Sequence, residues 1–294
     1  MNIGVIGLGN MGSGMAATLA KKSFSVFGYD LSSQALEAIA AQGVTPVARF
    51  AKLVAVCDVV ILSLPKALHV EQVCLGHHQS TESILALGKP GLIVIDTTTS
   101  EAQTSRKVAT ELAKQGIEFL DAPVSGGPAG AASGTMSMVI GGKASTLATV
   151  MPILAAMSTT QVHIGDVGAG NIAKIANNLL CAAHLITTAE VVSLAQHAGV
   201  DAEKVLAGIN VGSGRSGVSQ VNFPKWILND TYNSGFTMGL MRKDVGLAQN
   251  LCESLNISLP LSETVMDLWR QSSESLADNE DFNTIVKLTD SQLY

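Results

Sequence analysis

Positive charge is sparse in this chain. Its 18 Lys and Arg are outnumbered by 24 Asp and Glu, the formal net charge is -6, and no basic cluster stands out. Binding a nucleic acid calls for a basic face that neutralises phosphates, so no nucleic-acid partner is expected. Cysteine is scarce too. Cys57, Cys74, Cys181 and Cys252 lie far apart and form no CxxC pair, which argues against a disulfide framework or a zinc site. They read as buried free thiols of a reducing, cytoplasmic compartment. No cluster of metal-ligand residue types is present, so no metal is expected. The start, Met1 to Ile6, lacks the basic leader of a targeting segment and reads as a first strand. The richest apolar stretch, Ile175 to Val200, is interrupted by Asn177, Asn178, His184 and Glu190, so neither a membrane span nor a membrane partner is expected.

What is present is patterned. In the first half, short apolar runs at Ile3–Ile6, Ser25–Tyr29, Val59–Ser63, Leu92–Ile95, Glu118–Asp121 and Ser137–Ile140 read as strands. Amphipathic segments between them, such as Gly12–Lys22, Ser33–Gln42 and Glu101–Gln115, read as helices. This alternation predicts an α/β, Rossmann-type, doubly wound and mostly parallel sheet. After about Ile164 the strand-like runs stop, and helical patterns continue to Tyr294, broken at Gly199, Gly212-Ser213-Gly214, Asn229–Gly235 and Pro260. A dinucleotide-binding domain over 1–164 and an all-helical domain over 165–294, opening with a long helix, are the expected parts. The Gly/Ala-rich segment Ser125–Gly134 is short and flanked by strands, and so is not read as a linker.

Gly7-Leu8-Gly9-Asn10-Met11-Gly12 follows a strand and opens a helix. In such a GxGxxG turn the first glycine permits the tight bend, the second lets backbone approach a pyrophosphate, and the third lets helix pack on strand. Asp30 follows at about the 20-residue spacing expected of a carboxylate that receives the ribose hydroxyls. No arginine follows it in Leu31-Ser32-Ser33-Gln34, so NAD is favoured over NADP. Asp30 could equally cap the next helix.

Three further segments carry chemistry. In Asp121-Ala122-Pro123-Val124-Ser125-Gly126-Gly127-Pro128, a Gly-Gly turn at a strand end can present successive N–H groups to an anion, with Ser125 adding a hydroxyl. Lys174 is the only charged residue between Asp166 and Glu190, in an apolar helix. Burial disfavours a lysine's charged form, which suits a general acid/base; a lysine snorkelling from a helix start is the alternative. Asn178 lies one turn on, and Asn177 nearly shares that face. Lys243-Asp244, by itself, reads as a solvated charge pair.

With these motifs in order, the chain resembles the β-hydroxyacid dehydrogenase family, which includes 3-hydroxyisobutyrate dehydrogenase and tartronate semialdehyde reductase. The resemblance rests on Gly7–Gly12, on Asp121–Gly127, on Gly168-x-Gly170-x-x-x-Lys174-x-x-x-Asn178 and on Lys243-Asp244-x-x-Leu247-Ala248, and covers nearly the whole chain. It implies hydride transfer between NAD(P) and a short 3-hydroxy acid or its semialdehyde, with Lys174 as acid/base. It further implies that Ser125, Gly126 and Gly127 hold the substrate carboxylate, that Asn178 orients substrate, and that Lys243 reaches toward the cofactor. Leu64, Pro65 and Thr99 are implied on the nicotinamide side, and a homodimer or homotetramer as the assembly. An imine reductase on the same architecture would generally lack the lysine. A non-catalytic dinucleotide-binding scaffold is the other alternative. Substrate identity stays open: Gly212–Ser216 is similar to the family's Ser-Gly-Arg stretch or is a plain interhelical turn, and Asn222-Phe223-Pro224-Lys225-Trp226 is a candidate cap over the pocket. Asp278–Asp281 lacks the glycines expected near that end, which points to a different rim.

Overall fold

The computed structural model describes residues 1–76, 82–291 and 294. The chain divides into two compact units, Met1–Lys174 and Ile175–Tyr294.

The first unit is built on one sheet. Its strands are β1 (Asn2–Ile6), β2 (Ser25–Tyr29), β3 (Thr45–Pro46), β4 (Val59–Leu62), β5 (Ile93–Asp96), β6 (Glu118–Asp121), β7 (Val124–Ser125), β8 (Met136–Gly141) and β9 (Ser158–Gly165). They run in the order β3-β2-β1-β4-β5-β6-β8-β7, with β9 beside β8. Strands β3 to β6 along that order pair in parallel, and β8 turns antiparallel to β6 and β7. The helices are α1 (Asn10–Lys21), α2 (Ser33–Ala40), α3 (Phe50–Val56), α4 (Ala67–Leu75), α5 (Ile84–Leu87), α6 (Ala102–Ala113), α7 (Gly127–Ser133), α8 (Ala144–Met157) and the start of α9 (Ala169–His197).

Strand side chains alternate between faces, and the apolar runs feed two separate cores. Val59 and Ile61 of β4, with Ile93 and Ile95 of β5, join Met15 and Leu19 of α1 and Leu154 of α8. Val60, Leu62 and Val94 point the other way, to Leu53 of α3, Val70 of α4 and Val108 and Leu112 of α6. A sheet covered on both faces accounts for continuous apolar strands. The chain winds outward from β1 to β3, then returns to β4 on the other side of β1. That reversal is a switch in strand order at the carboxyl ends of β1 and β4, the place where ligands bind in such sheets. The Gly/Ala-rich segment becomes α7, close enough to α1 that Thr18 Oγ1 donates to the Ala131 carbonyl at 2.7 Å.

The second unit holds the rest of α9, then α10 (Ala202–Val211), a π-helix (Val218–Ile227), α11 (Met238–Leu255), α12 (Pro260–Gln271) and two short 3-10 segments, Ser272–Glu274 and Phe282–Leu288. Asp201 and Thr237 accept from first-turn amides and start α10 and α11, and Pro260 opens α12. Its core gathers Leu185, Ala189, Phe223, Met241, Val245 and Ile285 around Trp269, whose indole N–H donates to the Ala182 carbonyl at 3.2 Å. By length and composition, with a mean hydropathy of 1.4 over its most apolar stretch, α9 could cross a membrane. Within this chain its Ile175, Ala182, Leu185 and Val192 belong to the core of the second unit.

Candidate functional site

The glycines of the first turn divide into two kinds. Gly7 has φ +90°, and a β-carbon there would collide with the Ser63 carbonyl; one on Gly12 would collide with the Gly7 carbonyl. These two hold the turn and seat α1 on the strand ends. A β-carbon on Gly9 would meet nothing within 4 Å. Gly9 is the N-cap of α1, and no side chain caps that helix. Its first-turn N–H groups, uncapped among the described residues, and its positive dipole end lie on the open side of Gly9, which fits a pyrophosphate. Leu8 is buried, Asn10 is exposed and Met11 is half-buried. Asp30, just past β2, accepts from the Leu8 amide at 2.7 Å and from the Ser32 amide at 2.8 Å. The cap of α2 is Ser32, whose side chain accepts from the Ala35 amide, so Asp30 is not that cap.

The segments after β4 and β5 are laced together beside this turn. The Leu64 amide donates to Thr98 Oγ1 at 3.1 Å, Thr97 Oγ1 donates to the Leu62 carbonyl at 2.6 Å, and the Thr98 amide donates to Asp96 Oδ1 at 3.0 Å. Leu64 and Thr99 are half-buried and Pro65 is exposed. Strand-end position brings Gly7–Gly12, Asp30, Leu64, Pro65 and Thr99 to one edge of the sheet.

Farther along that edge, Lys174 of α9 is buried, with 8% of its surface exposed, and its Nζ donates to Ser125 Oγ at 2.7 Å. The snorkelling alternative is thereby overturned, because the amine is held inside by a hydroxyl. Ser125 ends β7, and Gly126 and Gly127 follow with φ +122° and +60°. Only glycine adopts two such successive conformations at low cost.

One residue of the motif that leads to this turn has a role that the sequence does not show. Asp121, fully buried at the end of β6, accepts from the Gly168 amide at 2.7 Å and the Asn171 amide at 2.8 Å, at the start of α9. Burial pushes its carboxyl above the ordinary value, against the pull of those amides. Asn171 in turn accepts from the Ser100 amide at 2.9 Å and donates to Ser105 Oγ at 3.0 Å. Pairs this far apart in sequence leave no periodic signal.

In the second unit, Asn178 and Lys243 converge on Asp244. Asn178 Nδ2 donates to Asp244 Oδ2 at 2.5 Å, and Lys243 Nζ lies 2.9 Å from Asp244 Oδ1. Asp244 is 1% exposed, so Lys243-Asp244 is not the solvated pair that its sequence alone implied. Asn177 is exposed and donates to Asn178 Oδ1 at 3.0 Å.

The remaining motifs make the following contacts. In the candidate cap, Phe223 is fully buried and Asn222 donates to Asn283 Oδ1 at 2.7 Å, so both serve the core; Lys225 stacks on Trp226 at 4.9 Å from the ring centre. Exposed Arg215 donates to the Gly212 carbonyl within its own turn. Asp278 pairs with Arg242, and Asp281 accepts from the Ser234 amide and hydroxyl. Cys57 and Cys74 are buried free thiols, while Cys181 and Cys252 are half-buried rather than buried.

Against known families, residues 2–165 match the NAD binding domain of 6-phosphogluconate dehydrogenase, and residues 168–289 match the NAD-binding domain of NADP-dependent 3-hydroxyisobutyrate dehydrogenase. The chain belongs to the β-hydroxyacid dehydrogenase family. Within it, the chain is 36% identical to NAD-dependent L-serine dehydrogenase of Pseudomonas aeruginosa, covering 98% of this chain and 97% of that protein. It is 32% identical to 2-(hydroxymethyl)glutarate dehydrogenase of Eubacterium barkeri, over 98% and 94%. The structure of Mycobacterium tuberculosis 3-hydroxyisobutyrate dehydrogenase with L-serine superposes with a TM-score of 0.88 at 32% identity, over 98% and 99% of the two chains. As a β-hydroxyacid dehydrogenase, the chain is an oxidoreductase that moves hydride between a nicotinamide dinucleotide and a hydroxy acid.

Proposed function

We propose that this dehydrogenase oxidises short acids in which a hydroxymethyl group and a carboxylate sit on the same carbon, or reduces the matching semialdehydes, with Lys174 as acid/base. The relatives' printed substrates, L-serine and 2-(hydroxymethyl)glutarate, share that HOCH2–CHR–COO⁻ core and differ in R. The observation that carries the assignment is the buried Lys174 amine held 2.7 Å from Ser125 Oγ. A proton acceptor must lie within hydrogen-bond reach of the hydroxyl it serves. A substrate hydroxyl taking the place of the Ser125 contact would meet the Lys174 Nζ at such a distance. In oxidation Lys174 takes the hydroxyl proton; in reduction it returns one to the carbonyl oxygen. The bound dinucleotide supplies the hydride acceptor or donor. Ser125, Gly126 and Gly127 receive the carboxylate, which fixes the carbon to be oxidised and so contributes orientation.

NAD is the proposed cofactor. Asp30 places a carboxylate beside the Leu8 turn, and a 2′-phosphate would be repelled there. Leu64, Pro65 and Thr99 are proposed for the nicotinamide side, on the support of their strand-end position. Asn178 is proposed to orient substrate and Lys243 to reach the cofactor, supported by their common buried anchor, Asp244. A homodimer or homotetramer is proposed as well. Leu180, Val191 and Leu194 of α9 are exposed and fall within about 60° around the helix, forming an exposed apolar stripe. A spectrophotometric screen of hydroxymethyl acids and semialdehydes with NAD(H) and NADP(H) tests the reading. Turnover of secondary alcohols alone, with none of these acids, would end it.

A further inference from the structure

We propose that Asp121 is a positioning residue that sets the distance between Lys174 and Ser125, acting through the first turn of α9; this rests on the assignment of Lys174 as acid/base. Asp121 stands at a junction of two short arms. Along the chain, Ser125 lies four residues beyond it. Across space, its carboxylate takes the Gly168 and Asn171 amides, and Lys174 lies three residues beyond Asn171. The Lys174–Ser125 contact of 2.7 Å closes the ring.

The ring has little slack. A β-carbon on Gly170 would lie 2.6 Å from the Asp121 carbonyl and 2.7 Å from that of Val139, so α9 begins backbone against backbone on β6 and β8. Each carboxylate oxygen takes a different amide, and a negative charge at a helix N-terminus is also favoured by the dipole. Asn171 extends the junction to the segment after β5 through Ser100 and Ser105. Thus one buried carboxylate joins the strand that leads to the substrate turn, the helix that carries the amine and, through Asn171, the segment proposed beside the nicotinamide. Buried networks of this kind hold one geometry because each unpaired member is costly.

Asp121→Asn keeps the shape but offers one acceptor oxygen where amides meet both, Gly168 at Oδ1 and Asn171 at Oδ2. The expected result is a fall in kcat of roughly tenfold or more, as misplacement of reacting groups gives. The dissociation constant for NAD, followed by fluorescence titration, should change by less than about threefold, and the pH–rate limb belonging to Lys174 should move. A role in stability alone would lower the melting temperature and leave the pH profile in place. Asp121→Glu keeps charge and both acceptors but displaces them by one methylene; it should also lower kcat at unchanged NAD affinity, and it carries the test if Asp121→Asn does not fold. A folded variant with kcat and pH profile as in the wild type would overturn the proposal, as would a loss of NAD affinity in step with kcat. Lys174→Ala run in parallel separates the two readings: if it is active, the acid/base assignment itself fails; if it is inactive while Asp121→Asn is fully active, only the positioning role fails.

Discussion

The Leu8 amide donates to Oδ2 of Asp30 at 2.7 Å, so the residue proposed to read the ribose also holds the glycine turn in place. Replacing it therefore does two things at once. Asp30→Ala should weaken NAD and NADP alike through the turn, and weaken NAD further through the lost ribose contact. The NAD:NADP ratio of kcat/KM is then expected to narrow without inverting. A ratio unchanged from the wild type would confine Asp30 to its structural bond.

Lys174→Ala is expected to bind NAD as the wild type does and to lose turnover by about 10²–10⁴-fold, the usual contribution of a general acid or base. Ser125→Ala should act differently. It removes one hydroxyl from the carboxylate site, worth about 1.5–3 kcal/mol for a bond to a charged group. Steady-state kinetics should show that loss mainly as a raised KM for the acid.

Asp244→Ala leaves Asn178 and Lys243 without their shared acceptor inside the second unit. Stranding the buried Asn178 donor costs about 1–3 kcal/mol. Urea unfolding should register that loss, and KM for the hydroxy acid should rise. Asp244→Asn, which keeps one acceptor, is expected to fall between wild type and Ala in both measurements. Identical behaviour of all three would show that the cluster is inert.

Much of the fold was legible because the steric demands are local. Gly7 and Gly12 are glycines for reasons set within a few ångströms of them, and Val59–Leu62 or Ile93–Asp96 is apolar throughout because helices cover both faces. Strand β9 was missed for the opposite reason. Ser158–Gly165 is mostly exposed, so it carries no apolar run, and its pairing to β8 is what makes it a strand. Strand β3 has two residues, too few for any pattern. Distance along the chain also hid the bonds of Asp121 to Gly168 and of Asp244 to Asn178, 47 and 66 residues away. Phe223 and Asn222 fall in the candidate cap because composition alone does not separate a cap from a core.

Burial raises the Cys57 thiol from its ordinary 9.0 to about 12, and burial with Asp230 and Asp281 raises the Tyr232 hydroxyl from 10.0 to about 12. Both native groups favour the protonated form. Their contribution to stability is therefore whole below about pH 9 and is lost as pH rises toward 12, where an unfolded chain has already ionised. The thermal midpoint should fall across that window. At pH 8 a thiol reagent should leave Cys57 and Cys74 unlabelled until the protein is unfolded. Rapid native labelling of either would contradict their burial.

The glycines of this chain answer to two different masters, and a saturation library could separate them. At Gly170 any side chain meets backbone oxygen, so a screen for folded protein alone should return nothing but glycine. At Gly9 the same screen should accept alanine readily, since no neighbour stands within 4 Å. Only when survival is made to depend on the dinucleotide should Gly9 become fixed. The first position records what the chain needs to exist, the second what it needs to work.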